Sequence, residues 1–340
     1  MKLNHIYQGN VLDRLKGLKD RSVQCVVTSP PYYGLRNYNI DGQLGLEDTP
    51  EEYVKNLVKV FREVRRVLKD DGTVWLNLGD SYASSPTGSL GNNTGTIANG
   101  KGQATQDASL GRPTKIVSGL KPKDLVGIPW RAALALQADG WYLRQDIIWH
   151  KPNPMPESIK DRCTKAHEYI FLLSKSAKYF YDADAIKTPL KDESMRRLMQ
   201  DIENQKGSGT PSKSNGNMKA VGGKDWQSNM AGSGLKIKGH KGYFDKDGNP
   251  ICGPMANRKS VWEINTQPYK GAHFATFPPK LPELCIKAGS SEGDVVLDPF
   301  FGSGTTGWIA QRLGRKWIGI ELNPEYIKIA EKRFKQHELF

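Results

Sequence analysis

Asp294-Val-Val-Leu-Asp298-Pro-Phe-Phe-Gly302-Ser-Gly304-Thr-Thr-Gly307-Trp308-Ile-Ala-Gln-Arg-Leu313-Gly-Arg-Lys-Trp317-Ile-Gly-Ile-Glu321 is the stretch on which the fold turns. A short apolar run, a glycine-rich turn, an apolar helical segment, a second apolar run and a terminal acid follow one another within it. That succession predicts strand, loop, helix and strand, the unit from which parallel sheets are built. Gly302 and Gly304 let the chain bend tightly and approach a ligand, and the helix that follows offers free N–H donors at its start. Glu321 closes the second strand, where an acid can accept both hydroxyls of a ribose. The stretch therefore predicts a site for a nucleoside-containing cofactor.

Gly302-Ser-Gly304-Thr-Thr-Gly307 also satisfies the G-x-G-x-x-G pattern of dinucleotide sites, so an NAD-binding oxidoreductase is a rival reading. Asp298 argues against it. A carboxylate at that strand end repels a pyrophosphate and suits the sulfonium and amino groups of S-adenosylmethionine.

Far upstream, Val26-Val-Thr-Ser29-Pro30-Pro31-Tyr32 is a β-branched strand that ends on a hydroxyl, two prolines and a ring. Proline cannot continue a ladder and restricts the residue before it, so the loop is stiff and extended. Ligands of open α/β sheets bind at such carboxyl ends. A short polar side chain, a carbonyl and a flat ring suit a planar substrate bearing an NH2 group. Cys25 lies inside the strand and reads as core. It is not placed as a nucleophile.

Between these stretches the βα rhythm continues. Thr49 and Pro50 open a helix with apolar residues at Tyr53, Leu57, Val60, Phe61, Val64 and Leu68. A turn at Asp71-Gly72 leads into a strand over Thr73–Leu78. A helix over Pro129–Asp139 and strands over Tyr142–Trp149 and Tyr169–Leu173 follow. The helix is expected to be buried core, with a dimer face as the lesser reading. Residues 84–119 are rich in Gly, Ser, Thr and Asn and read as a mobile loop. Residues 187–261 are polar, and from Lys191 to Lys259 carry 13 Lys or Arg against 7 acids, interleaved with Trp226, Tyr243 and Phe244. Basic charge with sparse aromatics predicts a nucleic-acid-facing insertion.

Composition narrows the class further. The chain has 340 residues, 49 basic against 36 acidic, for a formal charge of +13. That excess favours a polyanionic partner. Four scattered cysteines without CxxC spacing indicate neither a zinc site nor a disulfide framework, and no metal is expected. The first residues lack the apolar core of a signal peptide, and no run reaches spanning length, so a cytoplasmic protein is expected.

Thr28-Ser29-Pro30-Pro31-Tyr32 together with Asp298-Pro-Phe-Phe-Gly-Ser-Gly-Thr-Thr306 resembles the DNA amino-methyltransferases, which methylate cytosine N4 or adenine N6. The order, catalytic motif first and cofactor motif last, is similar to their β group. The resemblance implies an α/β, Rossmann-like S-adenosylmethionine-dependent methyltransferase fold. Its sheet would be mostly parallel, with helices on both faces and permuted motif order. It implies a catalytic half over 1–186, an inserted target-recognition region over 187–261 and a cofactor half over 262–340. It further implies double-stranded DNA as partner, and it leaves open a homodimer and a cognate restriction endonuclease.

Residue by residue, the resemblance places Ser29, Pro30, Pro31 and Tyr32 at the target base. Gly302, Ser303, Gly304, Thr305 and Thr306 would wrap the cofactor, with Asp298 and Phe300 beside them and Glu321 and Asn323 at the ribose. His273, Ala275 and Phe277 match the segment that completes the methionine pocket, with Phe274 where the family has proline. Asn10 stands where the family often has Asp. His150 to Pro156 and His167-Glu168 fall where the family contacts the base. Arg36, Lys151, Lys236, Lys238, Lys241, Arg258 and Lys259 are candidate DNA contacts. Ser at the first position of the catalytic motif is associated with cytosine N4, so cytosine is favoured over adenine. A methyltransferase acting on RNA or protein, and an idle DNA-binding protein, are the remaining alternatives.

Overall fold

The computed structural model describes residues 2–34, 40–83, 119–190, 255–267 and 277–337. Residues 84–118 of the expected loop over 84–119, most of the basic insertion, Arg36, Lys236, Lys238, Lys241, His273 and Ala275 lie outside them. The chain divides into two units, Met1–Ala185 with Lys259–Phe340, and Ile186–Arg258. In the second, strands β6 (Thr188–Pro189) and β7 (Met255–Ala256) pair antiparallel.

Among the described residues, the first unit is built on an eight-stranded sheet. In chain order its strands are β1 (His5–Gln8), β2 (Val23–Thr28), β3 (Leu68–Leu78), β4 (Tyr142–His150), β5 (His167–Ser174), β8 (Val261–Glu263), β9 (Val295–Asp298) and β10 (Lys316–Glu321). Their order in space is β1-β10-β9-β2-β3-β5-β4-β8. All ladders are parallel except the two that β5 makes, with β3 and with β4. β4 and β5 follow each other without a helix between them, so the chain returns antiparallel. The expected mostly parallel sheet is thus seen, with one reversed strand that the βα rhythm did not reveal.

Period-two alternation gives the sheet two buried faces. Val74, Leu76 and Leu78 of β3 join the core formed with helix α2 (Pro50–Val67) and helix α3 (Ile128–Ala138). Thr73 and Trp75, one residue out of phase, lie against helix α4 (Lys280–Gly289) on the other face. A side-chain carbon added at Gly289 would stand 2.7 Å from Thr73 Oγ1 and 2.8 Å from Trp75 Nε1. Thr49 caps α2 by accepting from Glu52 N at 3.1 Å, with Pro50 in the first turn as its sequence predicts. Helix α3 buries Ile128, Ala132, Ala133 and Leu136, the expected core role, and leaves Leu134 exposed.

Asp71-Gly72 does not terminate a helix-to-strand turn as expected. β3 already begins at Leu68, and its register against β2 shifts between Val23 and Cys25. Gly72 packs too tightly for a side chain: an added carbon would meet Leu68 and the Gln24 carbonyl within 3 Å. The residues that signalled a turn lie at a register irregularity inside the strand, between Leu68 and Thr73. Two further helices carry the cofactor-type loop, α5 (Thr305–Arg312) and α6 (Pro324–His337). The short helix α1 (Val11–Lys16) follows β1.

Candidate active site

Parallel pairing of β2 with β9 brings together two segments about 270 residues apart in sequence. Cys25 faces Val296, and Val26 faces Leu297. Ser29-Pro30-Pro31-Tyr32 and Phe300 to Thr306 therefore leave the sheet side by side, at the carboxyl ends of adjacent strands. A buried carboxylate ties them. Asp298 accepts from Thr28 Oγ1 at 2.6 Å, from Thr306 Oγ1 at 2.7 Å and from the Phe300 N–H at 3.1 Å.

Asp298 is only 3 % exposed, so the structure gives this acid a task its sequence position did not show. It joins the two loops instead of standing open toward a cation. Burial raises its carboxyl from 3.8 to about 7, against the Thr28, Thr306 and Phe300 hydrogen bonds, with the Glu321 charge adding to the rise. A carboxyl whose folded pKa is raised contributes stability that fades as pH climbs from the unfolded value toward the folded one. The stability advantage of the native chain over Asp298→Asn should accordingly fall between about pH 4 and pH 7, and level off above. Denaturant titrations of both proteins across that window measure it, and a difference independent of pH would refute the assignment.

The glycine loop is held from beneath by an aromatic seat. Phe301 is 3 % exposed and stacks on Trp317 at 5.3 Å between centroids, with Phe334 continuing the stack. Gly304 adopts φ 76°, the left-handed conformation that glycine enters without strain, and starts α5. Thr305 is fixed from α6, where Arg333 donates to its hydroxyl at 2.7 Å. Glu321, at the end of β10, accepts from the Gly302 N–H at 2.7 Å and the Asn323 N–H at 2.8 Å. Burial raises its carboxyl, and these backbone donors oppose the rise. Asn323 accepts from Glu325 N at 2.9 Å, so its side chain acts at the start of α6. Asn10 similarly caps α1, accepting from Leu12 N at 2.9 Å. Phe277 begins the described segment before α4 and is part-buried.

On the Ser29 loop, Pro31 is clamped through its carbonyl, which accepts from the buried Tyr53 hydroxyl at 2.9 Å. Among the described residues no donor is bonded to the Pro30 carbonyl. The Tyr32 ring lies against Gly79, where an added side-chain carbon would sit 2.5 Å from Cε2. Gly79 is thus required by close approach, and the sequence offered no signal for it. Its neighbour Asp80 accepts from the Gly127 and Ile128 N–H groups at 3.0 and 3.1 Å, binding the end of β3 to α3. Lys165, whose ammonium burial disfavours, donates to the Asp80 carbonyl at 2.9 Å. Cys25 is fully buried and its thiol is pushed up to about 12, as a core cysteine requires.

Lys151, expected among the DNA contacts, points inward and pairs with the Glu168 carboxylate, the two side chains being 19 % and 14 % exposed. The Arg258 guanidinium donates to the Ile186 carbonyl at 2.9 Å, and Lys259 is exposed. Among the described residues no group of His, Cys, Asp and Glu is arranged to hold a metal, and no helix is long and apolar enough to cross a membrane.

The arrangement sets a hydroxyl, carbonyls and a ring at one strand end beside a glycine-rich turn at the next. Known proteins share both the sequence and the fold. The profile of the DNA methylase family of N6 and N4 enzymes matches residues 23–332. The chain is 45 % identical over 328 residues to Type II methyltransferase M.SmaI of Serratia marcescens, spanning 96 % of this chain and 89 % of that protein. It is 43 % identical over 330 residues to Type II methyltransferase M.XycI of Xanthomonas campestris pv. cyanopsidis, spanning 97 % and 87 %. Among solved structures, the cytosine-N4-specific PvuII DNA methyltransferase superposes with a TM-score of 0.58 at 20 % identity, over 97 % of this chain and 85 % of that one. A putative DNA modification methylase of Thermus thermophilus, solved with S-adenosyl-L-methionine, gives 0.55 at 21 %, over 98 % and 93 %.

Proposed function

The chain belongs to the DNA methylase family and is an S-adenosylmethionine-dependent DNA methyltransferase, and we propose that it methylates N4 of a cytosine flipped out of duplex DNA. The observation that carries the proposal is the juxtaposition of the Ser29 and Gly302 loops on adjacent strands, joined through Thr28, Asp298 and Thr306. An NAD-binding oxidoreductase would leave the Ser-Pro-Pro-Tyr loop without a task.

The residues at the glycine loop fit the cofactor. Gly302 to Thr306 present backbone at a tight turn, Phe300 borders it, and Glu321 stands at the neighbouring strand end beside the Gly302 N–H. When bound, S-adenosylmethionine supplies a methyl group on a positively charged sulfur. The chain's own residues prepare the acceptor. An exocyclic amine on a nucleobase is a poor nucleophile because its lone pair is delocalised into the ring. The Ser29 hydroxyl and the Pro30 carbonyl accept hydrogen bonds from its two N–H groups and draw those hydrogens out of the ring plane, which localises the lone pair toward the methyl group, while Pro30 and Pro31 hold that geometry in advance. Tyr32 stacks on the flipped base. The serine at position 29 favours cytosine; adenine N6 is the second reading, with the same acceptors.

The basic insertion, with Lys236, Lys238, Lys241, Arg258 and Lys259, is proposed to grip the DNA backbone. A cytoplasmic setting, a homodimer and a cognate restriction endonuclease belong to the same reading. Incubation with methyl-labelled S-adenosylmethionine and mixed-sequence duplex DNA, followed by nucleoside mass spectrometry, tests it. N4-methylcytosine is the expected product. N6-methyladenine would overturn the base assignment, and absence of any labelled deoxynucleoside would overturn the activity.

A further inference from the structure

Behind the catalytic loop lies a connected set of polar side chains drawn from two strands and from the residues that follow two others. Ser29 Oγ donates to the Tyr32 hydroxyl at 3.4 Å, and that hydroxyl donates to Glu168 Oε2 at 2.7 Å. The same carboxylate oxygen accepts from Asn77 Nδ2 at 3.1 Å, and Asn77 also donates to the Tyr169 carbonyl at 3.1 Å. The other oxygen is taken by the Lys151 ammonium, which also lies over the Trp149 ring. Glu168 stands on β5 and Asn77 on β3, paired strands of the sheet, so their spacing is set by the ladder.

A carboxylate in an ion pair with lysine only accepts hydrogen bonds, whereas a hydroxyl both donates and accepts. Facing Glu168, Tyr32 must therefore turn its proton toward the carboxylate and offer a lone pair to Ser29. Ser29 in turn commits its only proton inward. Its remaining lone pairs then face outward, which is the state an acceptor of the target amine's proton needs. Burial and the nearby Glu168 charge both hold the Tyr32 phenol in its protonated form, so the chain of donors is not lost by ionisation. Asn77 offers an alternative acceptor for Tyr32 at 3.3 Å, but its own amide is oriented by Glu168 and the Tyr169 carbonyl.

We propose that Glu168 is a positioning residue that fixes the direction of the Tyr32 and Ser29 hydroxyl protons and so keeps Ser29 an acceptor toward the substrate amine. The inference rests on the acceptor role given to Ser29 above. It assigns Glu168 to the polarity of the hydroxyl chain, in place of contact with the base. A carboxylate kept only for its ion pair with Lys151 would steady the fold and leave the reaction step untouched.

The test is Glu168→Gln, which keeps size and one acceptor oxygen but adds a donor amide able to reverse the chain. The expected result is a fall in kcat of about tenfold, the order of one misdirected hydrogen bond. KM for DNA and cofactor affinity should stay near those of the native chain, while the melting temperature falls with loss of the buried Glu168–Lys151 ion pair. Tyr32→Phe keeps the ring, the Glu168–Lys151 pair and Asn77 while removing the link, so it should lower kcat alike. Adding Glu168→Gln to Tyr32→Phe should then cost nothing further. Should Glu168→Gln prove unstable, Tyr32→Phe alone decides, and an unchanged kcat overturns the proposal. Native turnover in Glu168→Gln, together with slow turnover in Ser29→Ala, would refute the role of Glu168 and leave the acceptor role intact. Native turnover in Ser29→Ala would instead refute the reading on which it rests.

Discussion

Replacing Ser29 with alanine is expected to slow methyl transfer about a hundredfold or more while cofactor affinity and stability stay close to native. Loss of one preorganised polar contact to a reacting group has effects of about that size, roughly 2.7 kcal/mol of barrier. The side chain is part-buried and its bond to Tyr32 is long, so its removal costs the fold little. The Pro30 carbonyl stays in place, because the backbone is held by two prolines and by Tyr53 on the Pro31 carbonyl. Single-turnover kinetics with saturating DNA and cofactor separate the chemical step from binding. A native rate would remove Ser29 from the mechanism. A lost cofactor affinity would mean that the two loops are more tightly coupled than their shared Asp298 tie implies.

Phe301→Ala should have the largest effect on stability, a loss of about 3–5 kcal/mol for truncating a buried aromatic. The ring is enclosed by Trp317 and Phe334, and the chain leaves space for it at two glycines. A side-chain carbon at Gly307 would stand 2.6 Å from Cζ, and one at Gly319 would stand 2.4 Å from Cδ2. The Phe301 backbone also starts the turn, donating to the Ile320 carbonyl and accepting from Gly304 N, both at 2.9 Å. An emptied seat leaves the loop without its floor, so S-adenosylmethionine should bind at least tenfold more weakly. Phe301→Leu, which refills much of the volume, should recover most of both losses. Denaturant titration and equilibrium dialysis give the two quantities. A loss below about 1 kcal/mol with unchanged affinity would show that the glycines alone hold the loop.

The sequence by itself carried the local chemistry. Alternation of apolar runs with capped helices announced an α/β sheet. Thr49-Pro50 marked a helix start, and Gly302-Ser-Gly304 marked a tight turn, because each depends on conformational preferences of neighbouring residues. The same holds for Ser29-Pro-Pro-Tyr32, whose stiffness is written in its prolines. Bonds across the fold were not legible in this way. Asp298 read as an acid awaiting a cation, yet strand pairing buries it between Thr28 and Thr306. Lys151 read as a DNA contact, yet the reversed strand β5 sets Glu168 against it. Gly79 carried no signal at all, since only the ring of Tyr32 explains it. Periodicity reports which face of a strand is buried and is silent on which strand lies beside it. Placing β9 next to β2, and so the cofactor loop next to the catalytic loop, is a long-range pairing that tertiary structure alone decides.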